Sequence, residues 1–247
     1  MAAPLGYVGL GTIGLPVATR LAATGAPLFV ADLDPAALAT LRGLENVTVL
    51  PTPAAVAEAC SVLFACLPNP AAGEAVFLGE DGVASAARPG LVVVDNSTVD
   101  PETAARLATG LGEQGARYFE CPVLGGVAQA ESGELFAIVS GPEAEYDTVR
   151  QYLGTFSRDH RYVGAAVGAA SRMKTVQNGL GLVQWAGIVE ALGLMAKAGA
   201  DLGMWYDVVT LDGGMAGTPL FEAQVRPLSP PLPCPARAGS RAGSTCI

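Results

Sequence analysis

Residues 7–25 read YVGLGTIGLPVATRLAATG. Gly9, Gly11 and Gly14 follow a short apolar run and open a stretch with helical spacing. G-x-G-x-x-G at a strand-to-helix junction is the pattern of a dinucleotide-binding turn. The first glycine permits the tight turn, the second lets a pyrophosphate approach the backbone, and the third lets the helix pack on the strand. The phosphates then face a helix N-terminus. Working outward, the next apolar run, PLFVAD (27–32), ends in Asp32, 21 residues after Gly11. An acid there accepts hydrogen bonds from adenosine ribose hydroxyls and repels a 2′-phosphate, and the neighbouring Leu33 offers no arginine to hold one. The expected cofactor contacts are Gly9, Leu10, Gly11, Thr12, Ile13, Gly14 and Asp32. The expected cofactor is NAD, with NADP the lesser alternative. Asp34 is expected only to cap the following helix.

The alternation continues downstream. Apolar runs at 47–50 (VTVL), 61–67 (SVLFACL), 91–95 (LVVVD), 117–123 (RYFECPV) and 135–141 (LFAIVSG) are separated by helical stretches. Several are apolar at consecutive positions, as in strands covered on both faces. Asp34-Pro35, Thr52-Pro53 and Asp100-Pro101 each put proline at a first helical position behind a capping side chain. The predicted fold class is α/β. A Rossmann-type doubly wound parallel sheet occupies residues 1–163. A partial all-α domain follows over 164–224. It comprises a long helix from about Gly168 to Ala198, on the order of 45 Å at ~1.5 Å per residue, and a second helix after Asp201. Residues 225–247 hold five prolines, three arginines and no acid, and read as an irregular tail that packs no core.

The composition narrows the possible functions. The chain has 247 residues, 51% hydrophobic and 15% charged, with a formal net charge of -9. The sequence pI is near 4.6. An acidic chain without a basic face argues against nucleic-acid and anionic-membrane partners and leaves a small-molecule substrate. The start has no positively charged n-region, so no signal peptide is expected and the location is read as cytoplasmic. Five cysteines (60, 66, 121, 234, 246) form no C-x-x-C pair, and there is one histidine. They are read as reduced thiols, with no metal site. The long helix is interrupted by Gln177, Asn178, Gln184 and Glu190, which suits a buried helix better than a membrane span. Its apolar residues, among them Val176, Leu180, Val183 and Val189, lie on several sides. Only residues 201–224 remain to help cover them, so an exposed strip that drives assembly into a homo-oligomer, a dimer, is expected.

If a nicotinamide is bound, a side chain must exchange a proton as hydride moves. His160, in SRDHRYVG, is expected at the surface in a turn or edge strand. No tyrosine precedes a lysine by four residues. Of the 14 basic residues only Lys174 and Lys197 are lysines. Lys197 suits the C-terminal end of the long helix. Lys174 lies near the start of that helix, where a cation is mildly disfavoured, and a lysine, unlike an arginine, can give up its proton. Asn178 is one turn further on the same face, so the two can hold one substrate oxygen. Ser171 and Gln177 flank that face. DNSTVDP (95–101) sits at the C-terminal end of a strand, where open α/β sheets bind ligands. Asp100 serves as a cap, which leaves Ser97 and Thr98 over. The Gly125-Gly126 turn offers backbone N–H groups to an anion.

GLGTIG (9–14), LPNPAAGEAVFLGEDG (67–82), DNSTVDP (95–101), PVLGG (122–126) and the Lys174/Asn178 pair occur in this order. Together they resemble the β-hydroxyacid dehydrogenases, a family that includes 3-hydroxyisobutyrate, tartronate-semialdehyde and 6-phosphogluconate enzymes. The likeness covers roughly residues 5 to 200. It implies a Rossmann domain followed by an all-helical one, with the active site between them. Lys174 becomes the general acid/base and Asn178 the holder of the reacting oxygen. Ser97, Leu124, Gly125 and Gly126 contact substrate, while Leu67, Pro68 and Thr98 join the cofactor contacts. Two departures stand out. Leu124 replaces a serine that in the family helps bind the substrate carboxylate. Family members also continue with more helices, so this chain reads as C-terminally truncated, by frameshift or naturally. Decarboxylation of the 6-phosphogluconate kind is not expected, because Gln177 and Gly181 stand where its histidine and acid would be. The expected function is an NAD(P)-dependent oxidoreductase of a β-hydroxyacid or related semialdehyde. Reduction of an imine or other non-carboxylate, and NAD binding without turnover, remain open.

Overall fold

In the computed structural model, which describes residues 3–210, the apolar runs form strands β1 (Leu5–Val8), β2 (Leu28–Ala31), β3 (Val47–Val49), β4 (Val62–Ala65), β5 (Val92–Asp95) and β6 (Arg117–Glu120). They lie in the order β3-β2-β1-β4-β5-β6, every neighbouring pair parallel. That order is the doubly wound dinucleotide-binding topology, with its switch point at β1/β4. Successive side chains leave the sheet on opposite faces. Tyr7, Phe64, Val94 and Phe119 join one apolar cluster, and Val8, Leu63, Val93 and Tyr118 join another. Both faces are covered, which is why the strands read as unbroken apolar runs.

The connecting helices are α1 (Gly14–Ala22), α2 (Pro35–Leu41), α3 (Pro53–Ala59), α4 (Pro70–Leu78) and α5 (Pro101–Glu113). Three begin as expected: Asp34 Oδ1 accepts from Ala36 N at 2.9 Å, Thr52 Oγ1 from Ala55 N at 3.1 Å, and Asp100 Oδ1 from Thr103 N at 2.8 Å. Asn69-Pro70 repeats the device at α4, with Asn69 Oδ1 accepting from Ala72 N at 2.9 Å.

The run 117–123 does not make one strand. β6 stops at Glu120, and Pro122, which has no N–H to give a ladder, separates it from β7 (Val123–Leu124). After α6 (Val127–Ser132), β8 (Leu135–Val139) pairs antiparallel with β7. After α7 (Tyr146–Phe156), β9 (Ser157–Tyr162) pairs parallel with β8. These three form a separate mixed sheet in the order β7-β8-β9, so LFAIVSG leaves the parallel sheet. A Glu120–Ser140 bridge joins the two sheets. His160 lies on β9, an edge strand, and is half-buried.

Two further helices follow, α8 (Ala169–Lys197) and α9 (Leu202–Thr210). The chain divides into two compact units whose boundary falls inside α8, between Gln177 and Asn178. The expected burial of this helix holds only for its first turns, where Ala170, Ser171 and Lys174 are buried. Further on, Val176 is 73% exposed, Leu182 67% and Val183 71%. By length and mean hydropathy (1.4) α8 could cross a membrane. The expected tail at 225–247, with Cys234 and Cys246, lies outside the described residues.

Candidate active site

The glycine turn joins the C-terminal end of β1 to α1. Gly9 has φ +90°, and a Cβ there would lie 2.4 Å from the Cys66 carbonyl oxygen, so only glycine fits. A Cβ on Gly14 would meet the Gly9 carbonyl oxygen at 2.0 Å, whereas one on Gly11 would point into open space. The helix thus sits directly on the turn, and the middle glycine leaves the backbone approachable. Among the described residues, no hydrogen-bond partner claims the N–H groups of Gly11, Thr12 or Ile13. They lie in the loop that runs into α1, whose N-terminus favours negative charge.

A cleft of about 720 Å³ opens over this turn, lined by Gly9 to Gly14, Asp32, Leu33, Leu67 and Pro68, with Pro51, Pro53 and Asp81 further along it. Its size and its glycine floor fit a dinucleotide. Asp32 holds the turn itself: one carboxylate oxygen accepts from Leu10 N, and the other from Asp34 N at 2.7 Å. Leu33 is fully exposed at the rim.

At the end of β5, Asp95 is buried and accepts from Ser97 N and from Tyr118 Oη, each at 2.9 Å. Burial pushes its pKa up, and these hydrogen bonds oppose the rise. Ser97 Oγ accepts from Leu67 N at 2.8 Å, and its hydroxyl also hydrogen-bonds the Asp95 carboxylate, so the side chain is held between the end of β4 and the end of β5. Thr98, beside it, is exposed. Leu124 on β7 is half-buried, and Gly125, with φ +121°, starts the turn into α6. The Gly126 N–H is already taken, donating to Gln129 Oε1 at 2.9 Å. An anion at this turn would have to displace that side chain.

Lys174 is 9% exposed. Among the described residues no carboxylate pairs with it. Burial alone lowers its pKa from the ordinary lysine value. Lys197 is an exposed residue of the last helical turn. Asn178 lies one turn beyond Lys174 on α8, on the far side of the unit boundary.

Residues 4–165 match the family model described as the NAD binding domain of 6-phosphogluconate dehydrogenase. The chain is 34% identical over 225 residues to an L-threonate dehydrogenase from Cupriavidus necator, covering 91% of this chain and 75% of that one. It belongs to the β-hydroxyacid dehydrogenase family. That makes it, by kinship, an NAD(P)-dependent dehydrogenase type. The mitochondrial 3-hydroxyisobutyrate dehydrogenase of Rattus norvegicus is 31% identical over 211 residues, which is 85% of this chain and 62% of that one. The chain therefore spans about three-quarters of one relative's length and under two-thirds of the other's. A structure titled Psf3 in complex with NADP+ and 2-OPP superposes with a TM-score of 0.79 at 32% identity, covering 89% of this chain and 76% of that one. Nicotinamide dinucleotides are thus bound within this fold group, in that instance the phosphorylated form.

Within this member of the family, the glycine turn, Asp32, Leu67 and Pro68 converge on one cleft. Ser97 is linked to that cleft through Leu67. Sequence reasoning missed Glu120, a buried acid beneath the start of α8. A signal was available: it is the one acid inside the run 117–123.

Proposed function

We propose that the chain moves a hydride between NAD and a β-hydroxyacid or its semialdehyde, with Lys174 exchanging the proton at the substrate oxygen. The observation that carries this reading is the buried lysine that, among the described residues, pairs with no carboxylate. A lysine whose pKa is lowered by burial moves toward the range where proton transfer is efficient. NAD, when bound, supplies or accepts the hydride. The chain's own residues bind and orient: the N–H groups of the glycine turn face the pyrophosphate, Asp32 meets the adenosine ribose, and Leu67, Pro68 and Thr98 border the nicotinamide half. Ser97 contacts the substrate, and Asn178 steadies the reacting oxygen. Asp32 supports NAD over NADP, since its carboxylate would repel a 2′-phosphate.

Lys174→Ala tests the assignment. Turnover should fall by about 10²–10⁴-fold, the usual share of a positioned acid/base, with NADH affinity nearly unchanged. Lys174→Arg should fail almost as badly, because arginine keeps its charge without exchanging its proton. An arginine variant with most of the activity would reduce Lys174 to an electrostatic clamp. Leu124 favours a second reading, reduction of a bulkier or non-carboxylate substrate such as an imine, because it brings a half-buried apolar side chain to the substrate turn. A panel of hydroxyacids, aldehydes and imines, run beside a cofactor titration, separates the two readings. It also separates both from cofactor binding without turnover.

A further inference from the structure

Glu120 ends β6, opposite Asp95 in the parallel register, and is 3% exposed. Its backbone exchanges hydrogen bonds with Ser140, at 2.9 and 3.0 Å, joining the two sheets. Among the described residues its side chain accepts four hydrogen bonds. Oε2 accepts from Gly168 N at 2.6 Å and from Ser140 Oγ at 2.7 Å. Oε1 accepts from Ser171 N at 3.1 Å and also from Ser171 Oγ. Ser140 Oγ in turn accepts from Ala170 N at 3.2 Å. Three backbone N–H groups around the start of α8, at 168, 170 and 171, are therefore held directly or through one hydroxyl by a single buried acid. The carboxylate also meets the positive end of a 29-residue helix. Ser171 and Lys174 are three residues apart and so share a helix face. The strand carrying Glu120 continues within a few residues into the Leu124-Gly125-Gly126 turn.

We propose that Glu120 is a positioning residue for the proton exchange: its carboxylate fixes the first turn of α8, and through that turn it fixes Lys174. The inference rests on the role given to Lys174 above. The acid is required chemically, because the Gly168 and Ser171 N–H groups can only donate and both of their partners must be acceptors. Glu120→Gln keeps the shape but turns an NH₂ group toward one of them. A displacement on the order of 1 Å at a reacting group costs about 10²-fold in rate, while the glycine turn that holds the cofactor is untouched.

Glu120→Gln should therefore bind NADH within about twofold of the wild type yet lose at least tenfold in kcat. Amide exchange in the peptide spanning residues 168–176 should become faster. Ser171→Ala, which removes one of the four contacts, should shift both readings the same way by less. The double variant should fall short of the product of the two losses, since both act through one contact. Glu120→Asp, which keeps both acceptors on a shorter arm, should recover part of kcat. Should Glu120→Gln fail to fold, Ser171→Ala and Glu120→Asp carry the same comparison. Wild-type kcat together with unchanged exchange in a folded Glu120→Gln protein would overturn the proposal. If the wild type turned over no substrate, the role of Lys174 would fail, while exchange at 168–176 would still decide whether Glu120 fixes that turn.

Discussion

Asp32 has two duties, and they separate by experiment. Its carboxylate holds Leu10 N and Asp34 N within the chain, so Asp32→Ala should loosen the glycine turn and weaken both cofactors. It should weaken NADH more than NADPH, because repulsion of the 2′-phosphate is removed as well. Equal losses in fluorescence titrations would place the ribose contact elsewhere. Lys174 makes a stability prediction with a definite sign. Burial lowers its folded-state pKa, so the unfolded chain binds more protons between that value and the ordinary lysine range. Wild-type stability must then rise with pH across that window. Lys174→Met should be the more stable protein at neutral pH, with an advantage that shrinks as pH climbs toward the ordinary lysine value; thermal melts read the difference. Leu124→Ser should restore a donor to a substrate carboxylate. Hydrogen bonds to charged groups contribute about 1.5–3 kcal/mol, so KM for small hydroxyacids should fall roughly tenfold; no change would mean that the turn does not face a carboxylate. Lys174 stood out as a candidate because lysine is so scarce in this chain. Glu120 was not, because its importance comes from donors 20, 48 and 51 residues away in sequence.

The elements themselves were mostly readable. Proline behind a capping side chain marks four helix starts, because local chemistry alone fixes that geometry. The doubly wound parallel class followed from the glycine turn and the alternation of apolar runs, while the order β3-β2-β1-β4-β5-β6 is read from the structure. The small mixed sheet did not, since Pro122 divides a run whose apolar pattern looks continuous, and pairing with β8 and β9 is set by tertiary contacts. The closeness of α1 to its turn gives a sharp test. Gly14→Ala would put a methyl carbon 2.0 Å from the Gly9 carbonyl oxygen. Overpacking of this kind costs about 1–3 kcal/mol, so the melting temperature should drop and NADH affinity should fall at least tenfold. Gly11→Ala, whose methyl would meet open space in the free protein, should leave stability nearly intact and weaken only the cofactor. Wild-type NADH affinity in both variants would remove the pyrophosphate from this turn.

At the scale of the molecule, α8 keeps the exposed apolar strip that its sequence led one to expect. Its apolar residues lie on several sides, and from Val176 onward they are largely exposed in this chain. Contiguous exposed apolar surface drives association, so light scattering should find an assembly larger than one chain, reversed by substituting Val176, Leu182 and Val183 with polar residues. A monodisperse monomer would contradict this. The account as a whole depends on Lys174 acting on a substrate beside a nicotinamide held by the glycine turn. Its most direct test is a paired measurement on the wild type and Lys174→Ala: NADH binding by fluorescence and turnover across the hydroxyacid panel. The account predicts equal binding and a loss of turnover of about 10²–10⁴-fold in the variant. Turnover that survives the alanine substitution with binding intact would contradict it.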